Sequence, residues 1–189
     1  MTTSLDIANR ALILLGSREI TSFTDNSNES RVAKNLYRSA RDYCLRAYPW
    51  ASLKKRAALV ELAEAPISGF SHQYVQPNDC VRVVEVHSSG KSKVDLWEVN
   101  GRQVLANVKP LSIVYLSDTV PEQEYSTQLI QALVYRLASE MAYPITGNST
   151  AQGNFNALFS QVLEEARTTD SLEQSYKKIG PNNLQLVRA

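Results

Sequence analysis

The spacing of apolar residues predicts a pair of helices at the start of the chain. Residues 4–15 carry two adjoining apolar stripes with a helical period, formed by Leu5, Ala8, Leu12 and Leu15 and by Ile7, Ala11 and Leu14. We expect this helix to be largely buried and to end at Gly16. A polar link with Asp25 and Ser27 as candidate caps precedes a second periodic run, which ends before Pro49. The short link predicts an antiparallel helical hairpin.

Helical periodicity returns after Pro121. One face of the predicted third helix is formed by Leu129, Leu133, Leu137 and Met141. A break from Pro144 to Gly147 separates it from a last amphipathic run, whose apolar residues are Phe155, Leu158, Phe159, Val162, Leu163 and Ala166. Beyond Leu172 the periodicity fades, so we expect an extended tail that becomes ordered on a partner.

The chain between Trp50 and Asp118 has a different pattern, because proline, glycine, serine and asparagine become frequent and β-branched residues occur in short runs. Six strands are predicted, over residues 56–62, 72–75, 81–87, 94–99, 103–106 and 112–116. The dipeptide Asn100-Gly101 between two apolar runs indicates a hairpin with a two-residue turn. This stretch therefore predicts an antiparallel β-subdomain.

Together these patterns predict an α+β fold, in which an antiparallel four-helix bundle carries an inserted antiparallel β-subdomain and an extended C-terminal tail. Neither helical pair can close a core alone, so we expect the two pairs to pack together. The predicted organisation is a helical hairpin over 1–50, the β-subdomain over 51–118, two further bundle helices over 119–172 and the tail over 173–189.

The composition is that of a globular chain, since 43% of the 189 residues are hydrophobic and 21% are charged. With a formal net charge of +1, the whole molecule has no general attraction for nucleic acid or anionic lipid. Cys44 and Cys80 have no histidine at metal-ligand spacing, so we expect buried free thiols. No run approaches the roughly 20 apolar residues of a membrane span. We expect a protein made in a reducing cytoplasm, without membrane insertion.

Charge is distributed unevenly along the chain. Residues 31–56 contain eight basic residues and one acid, whereas residues 118–173 contain eight acids and two bases. On the second helix, a basic stripe with no acid of its own helix opposite it consists of Arg31, Lys34, Arg38 and Arg41.

This stripe and the acidic pair Glu164 and Glu165 are candidates for a subunit interface, because opposed patches suit head-to-tail contacts in a ring. Two other interpretations of the stripe remain open. It is either an ordinary helix face, solvated or paired within the chain, or a surface that guides DNA in a channel through phosphate contacts.

Candidates for catalysis are few. His72 and His87 are the two histidines, and neither stands beside a nucleophile motif such as GxSxG. Glu164 and Glu165 are adjacent on a predicted helix, so their side chains diverge and do not form a catalytic carboxylate pair. No glycine-rich phosphate-binding motif occurs. We therefore predict no catalytic, metal-binding or cofactor-binding residue, and a protein that is not an enzyme.

Short motifs stand at the junctions between the predicted elements. They are Ala8-Asn9-Arg10-Ala11-Leu12 with Leu15-Gly16, then Ile20, Phe23 and Asp25, then Tyr48-Pro49-Trp50, then Lys55-Arg56-Ala57 with Leu59. A longer run follows, Tyr74-Val75-Gln76-Pro77-Asn78-Asp79-Cys80-Val81-Arg82-Val83. In order and spacing these motifs resemble the amino-terminal half of phage tail tubular protein A. The longer run is similar to that family's strand, proline-containing turn and strand beginning with Cys and Arg. The second half of the chain agrees in helical pattern only.

The resemblance implies a structural protein of the virion tail or neck in a short-tailed bacteriophage. It implies a dodecameric homo-oligomer that acts as the head-to-tail adaptor ring, with the portal protein above and a tail nozzle protein similar to tail tubular protein B below. Genomic DNA would make transient contact with the ring's central channel. The resemblance also implies a tail that reaches the portal, for which the candidate residues are Tyr176, Lys177, Lys178, Leu184, Leu186 and Val187.

Three of the matching residues also have structural interpretations of their own. Trp50 is expected to be a core anchor, because its large apolar surface is costly to expose. Asp79 is expected to accept hydrogen bonds from neighbouring backbone amides in the turn that Pro77 begins. Arg82 is a candidate for a buried or interfacial ion pair, because local structure explains its charge poorly.

Three functional interpretations follow. The first is an adaptor protomer that performs no chemistry and assembles on a preformed portal, so that the isolated chain is monomeric. The second is a DNA- or RNA-binding module that uses the basic face of helix 31–46, for which affinity would fall steeply with salt. The third is a glycan hydrolase in the β-subdomain, for which turnover would depend on His72, His87 or nearby carboxylates.

Overall fold

The computed structural model describes residues 2–88 and 92–175, with side chains as far as Thr169. These residues form a mixed α+β fold, which confirms the fold class at that level. The helices are α1 (Ser4–Leu14), α2 (Asn28–Ala47), α3 (Thr127–Thr146) and α4 (Ser149–Ser175). The strands are β1 (Lys54–Ala58), β2 (His72–Val75), β3 (Cys80–Ser88), β4 (Trp97–Asn100), β5 (Gln103–Ala106) and β6 (Leu111–Ser117). Short 3-10 turns occupy Ala51–Leu53 and Glu122–Glu124.

Local hydrogen bonds set the starts of the first two helices. At α1 the Thr3 hydroxyl accepts from the Asp6 amide while the Asp6 carboxylate accepts from the Thr3 amide, so two unpaired helix donors are satisfied reciprocally. At α2 the Ser27 hydroxyl accepts from the Ser30 amide, which confirms Ser27 as a cap. Asp25 is not a helix cap, because its carboxylate accepts from backbone amides of the preceding turn.

The break predicted over 144–147 is confirmed in part, because Gly147 and Asn148 separate α3 from α4, but it begins later than predicted, since α3 continues through Pro144 to Thr146. Pro144 lies in the last turn, where its missing amide costs a single intrahelical hydrogen bond. The helix ends at Gly147, whose φ of 68° suits a residue without a side chain. The next helix, α4, extends to Ser175 and so covers the first three residues of the predicted tail. Residues 176–189 of the predicted tail lie outside the described residues.

Helix α3 makes contacts with each of the other three helices. Its predicted apolar face is confirmed, since Leu129, Leu133, Leu137 and Met141 are fully buried. The expectation that α1 is largely buried holds for one side only. Ile7, Ala8, Ala11 and Leu12 are buried, whereas Ile13 and Leu14 are 54% and 44% exposed because no described element covers them.

The β-subdomain consists of two three-stranded antiparallel sheets, ordered β1-β6-β3 and β2-β5-β4. All six predicted strands are present, and the Asn100-Gly101 hairpin joins β4 to β5 with Gly101 at a φ of 58°. The two sheets share a second core, whose buried residues include Tyr74, Val86 and Val104. Two register shifts in β3 were not predicted, since a bulge leaves no periodic signal in a sequence.

Trp50 lies where the helices meet the β-subdomain. Its side chain is 2% exposed, its indole nitrogen donates to the Cys44 carbonyl at 2.8 Å, and its ring packs edge-on against Tyr48 with centroids 5.0 Å apart. This confirms Trp50 as a core anchor. Cys44 is a buried free thiol as predicted, while Cys80 is also free but only half-buried.

Replacing Trp50 tests this junction. Trp50→Phe should lower the free energy of unfolding by about 2 kcal/mol, because it removes buried volume and the donor to Cys44. Urea unfolding followed by circular dichroism measures the change. The matched control is Trp97→Phe on β4, where the side chain is only partly buried. Equal stability of the two variants would contradict the role of Trp50.

Candidate interaction surfaces

Three of the four residues in the basic stripe of α2 are accessible to solvent. Arg31, Lys34 and Arg38 are exposed. Arg31 donates to the Asn28 side chain at 2.9 Å, while Arg38 lies 4.0 Å from Asp42 one turn along the helix. The expectation that no acid of the same helix faces the stripe is therefore wrong. Surface pairs of this kind are weak, so the three cations remain available to a partner.

Arg41 does not belong to this accessible face. Its side chain is 18% exposed, against 92% for Arg38. Its Nε donates to the Tyr125 hydroxyl at 3.0 Å, its Nη2 donates to the Asp118 carbonyl, and it lies 4.0 Å from Glu122. Arg41 therefore ties α2 to the segment that enters α3. For Arg41 the structure supports the interpretation of pairing within the chain, although helical period could not show which segment passes over it.

Tyr37 also connects α2 to the segment that enters α3. Its hydroxyl donates to Glu122 at 3.4 Å, and burial, together with the nearby Glu122 carboxylate, raises the pKa of Tyr37. The phenol therefore stays protonated and remains a donor at neutral pH. Sequence reasoning gave no signal for this residue.

The acidic residues Glu164 and Glu165 are exposed on α4. Glu164 pairs with Arg167 and Glu165 accepts from Gln161 at 3.0 Å, all within one helix. Both contacts are exposed and weak, so the carboxylates stay accessible.

Contacts between α2 and α4 show where the two charged faces lie. Tyr43 stacks near Phe159 with centroids 5.9 Å apart, and the Tyr48 hydroxyl donates to the Ala166 carbonyl at 3.2 Å. The two helices therefore run in the same direction, which places the acidic pair beside the end of α2. At 1.5 Å per residue, the basic face at the start of α2 lies on the order of 20 Å away along the axis.

Asp79 is the centre of a polar cluster in the β-subdomain. The expectation of backbone amide donors is wrong, because side chains supply the hydrogen bonds. Its carboxylate accepts from Ser117 at 2.7 Å, Tyr115 at 3.1 Å, Lys55 at 3.2 Å and Thr119 at 3.2 Å. Burial opposes the charged form, but these donors outweigh it and lower the pKa of Asp79 to about 2. The cluster ties the turn before β3 to β1 and β6.

Arg82 is exposed, and its guanidinium donates to the Arg46 carbonyl at 3.4 Å, in the last turn of α2. In the part of the chain that the structure describes, no carboxylate lies within 4 Å of it. The expectation of a buried ion pair is therefore wrong. An ion pair across a subunit interface stays a prediction.

Both histidines sit beside carboxylates. His72 Nδ1 lies 2.7 Å from Glu61 and His87 Nε2 lies 3.0 Å from Glu85. The Ser112 hydroxyl donates to the backbone carbonyl of His87, at 3.4 Å, and not to its ring. Each carboxylate therefore orients an imidazole on a sheet surface.

An open groove lies between α1 and α3. Its volume is about 570 Å³, and apolar lining residues are Ile13, Leu14, Ile130, Val134 and Tyr135. Thr127 and Gln131 add polar edges, and the exposed cation Arg10 stands at the rim. Apolar surface rimmed by polar groups is typical of interaction sites.

Within the described ranges, no three or more His, Cys, Asp or Glu side chains are grouped to hold a metal ion. None of the helices described there has the length and apolar character of a membrane span. The tail residues proposed for portal contact, Tyr176, Lys177, Lys178, Leu184, Leu186 and Val187, lie outside the described residues.

Neither protein-family models nor curated proteins match this chain. The resemblance to tail tubular protein A therefore depends on the short motifs and on the structural roles of their residues. Tyr48-Pro49-Trp50 forms the joint between helices and sheets. Asp79 holds the proline-containing turn in place.

The Asp79 cluster predicts an acid-dependent stability difference. The folded pKa of about 2 lies below the ordinary value of 3.8, so the charged form stabilises the fold above pH 4, and this contribution disappears as the pH falls from about 4 to 2. The unfolding free energy of the wild type should exceed that of Asp79→Asn by about 2 kcal/mol at pH 6. Denaturant titrations between pH 6 and 2.5 should show this gap narrowing. A stability difference between the wild type and Asp79→Asn that does not change with pH would contradict the stabilising role of the Asp79 cluster.

Arg41 and Arg38 provide a matched pair of variants. Arg41→Ala should lower the free energy of unfolding by about 2 kcal/mol, because it leaves partly buried oxygens of Tyr125 and Asp118 without their donor. Arg38→Ala should change it by less than about 0.5 kcal/mol, as expected for an exposed side chain. Thermal and urea unfolding measure both. Equal effects would mean that Arg41 is not a structural tie.

Proposed function

We propose that this chain is a structural virion protein, the head-to-tail adaptor that forms a ring between the portal and the tail nozzle of a short-tailed bacteriophage. The observation that carries the proposal is the ordered set of family-like motifs, two of which coincide with the molecule's main structural joints. Tyr48-Pro49-Trp50 stands between helices and sheets, and Asp79 fixes the turn that precedes β3. The chain performs no chemistry in this role, and it is made in the host cytoplasm before it enters the tail.

The helical half is proposed to be an antiparallel four-helix bundle that serves as the rigid body of the protomer. Support comes from α3, which contacts α1, α2 and α4 along a continuous buried face. In this arrangement the β-subdomain is inserted between the two helical pairs, and residues 176–189 are proposed to contact the portal.

Assembly is proposed to use two different surfaces of each subunit. The basic face of Arg31, Lys34 and Arg38 and the acidic pair Glu164 and Glu165 lie at different heights on the helices. Contacts between unlike surfaces are head-to-tail, and they close into a ring when the rotation between neighbours divides a full turn. A dodecamer is the expected ring. A single contact is small, so the portal acts as the template that holds copies close together, and the free chain is monomeric.

The alternative is a DNA- or RNA-binding module that uses the same basic face. The exposure of Arg31, Lys34 and Arg38 favours it, since phosphate contacts need accessible cations. Arg41 takes no part, because it is engaged by Tyr125 and Asp118.

A charge-swap experiment tests the proposed interface. Reversing Arg31, Lys34 and Arg38 to Glu should reduce ring occupancy beneath the cognate portal at least tenfold in electron micrographs, because like charges then face each other. Adding Glu164→Lys and Glu165→Lys to the same chain should restore rings. The matched control reverses three exposed basic residues of the β-subdomain, Lys54, Arg56 and Lys93.

The same variants separate the two functions. If the basic face binds nucleic acid, reversal abolishes a strongly salt-dependent affinity for duplex DNA, the acidic substitutions do not rescue it, and ring occupancy is unchanged. Rings that form equally well in all variants would contradict the proposed interface.

A further inference from the structure

One loop of the β-subdomain presents an apolar side chain directly to solvent. Ile67 is fully exposed, and it stands between Pro66 and Gly69 in the connection from β1 to β2. The proline fixes one backbone angle and Gly69 adopts a φ of 83°, so the turn holds a defined shape. An isoleucine held outward at a shaped turn is suited to insertion into a complementary surface.

The loop also carries negative charge. Glu61 is already engaged, since it lies 2.7 Å from His72 and 3.9 Å from Lys109. Glu64 is exposed, and its carboxylate has no hydrogen bond or ion pair with any of the residues that the structure describes. The loop therefore combines an outward apolar side chain with an available carboxylate three residues earlier.

The groove between α1 and α3 has the complementary features. Its floor and walls are apolar through Ile13, Leu14 and Ile130, and Arg10 stands at its rim. A volume of about 570 Å³ accommodates more than one side chain, so Pro66 can enter with Ile67. The positive charge of Arg10 at the rim is opposite to the negative charge of Glu64 on the loop.

We propose that the 59–71 loop of one copy of this chain docks into the α1–α3 groove of a second copy, with Ile67 in the groove and Glu64 beside Arg10. The occupant is a second copy because the loop supplies both the apolar side chain and the opposite charge. Loop and groove are different surfaces on different halves of the molecule, so the contact is head-to-tail and each copy offers both partners to its neighbours.

This contact would lie between neighbouring subunits of the proposed ring, and in that respect it rests on the proposed function. It consists of one loop in one groove, so we expect free copies to associate weakly and the contact to strengthen when copies are held together. The weakness of this contact would then explain both why the free chain is monomeric and why assembly needs the portal as a template.

Site-directed cross-linking tests the docking directly in the full-length chain. One variant carries Ser68→Cys next to Ile67, and the other carries Gln131→Cys at the groove edge, so neither removes the apolar contact. Mixed at high concentration with a short bismaleimide, they should give a heterodimer linked through positions 68 and 131. The yield should be at least fivefold above a control pair with Leu96→Cys, another exposed β-subdomain position. The unsubstituted chain measures the background from native cysteines.

Charge reversals at Glu64 and Arg10, singly and together, and a substitution of Ile67 test whether the cross-link depends on the proposed contacts. Glu64→Arg on the loop partner or Arg10→Glu on the groove partner should each reduce the yield at least threefold, and the two together should restore it to within twofold. Ile67→Asp on the loop partner should reduce it to the control level. Equal yields for the test and control pairs, or no response to these substitutions, would overturn the docking.

Failure of this contact is distinguishable from failure of the adaptor role. Ile67→Asp chains that still form wild-type rings beneath the portal would overturn the docking and leave the adaptor proposal intact. Cross-links that obey the charge cycle, in a chain that never forms a ring on a portal, would support the docking and contradict the adaptor proposal.

Discussion

The structure depends on the burial of α3 by elements that are distant in sequence. Leu129, Leu133 and Leu137 are fully buried, and the helices that contact α3 come from both ends of the chain. Burying apolar side chains is the dominant favourable contribution to folding, so the two ends must come together before either is stable. The β-subdomain is consequently a long insertion, and at its base the side chains of Trp50 and Leu53 are buried in the core that the helices form.

Polar contacts then fix two connections of the fold, the segment that leads into α3 and the turn before β3. Arg41 and Tyr37 bind the segment that leads into α3, while Asp79 binds the turn before β3 to the strands beside it. These groups are partly withdrawn from water, where an unmade hydrogen bond is costly. What remains outward is therefore a separate set of features, namely the basic face of α2, the acidic pair of α4, the α1–α3 groove and the Ile67 loop. All four are suited to contacts with other molecules.

Much of the fold was predictable because it follows from local periodicity. The helices and strands, the Asn100-Gly101 hairpin and the Trp50 anchor all leave signals within a few residues. The errors had two causes, one local and one tertiary. Pro144 remained in a helix because only its last turn was affected, and Asp79 took side-chain donors from strands far along the chain.

The candidate surfaces were predictable only in part, for the same reason. Helical spacing found the basic stripe, but whether Arg41 lies under another segment depends on a contact 84 positions away in the chain. The exposure of Ile13, Leu14 and Ile67 was likewise not predictable, because it depends on whether another segment of the chain packs over these side chains. The most direct test of the central claim is electron microscopy of the wild-type chain mixed with its cognate portal. We predict a closed ring of copies beneath each portal; portals that remain bare, or that carry scattered copies without side-by-side contacts, would contradict the account.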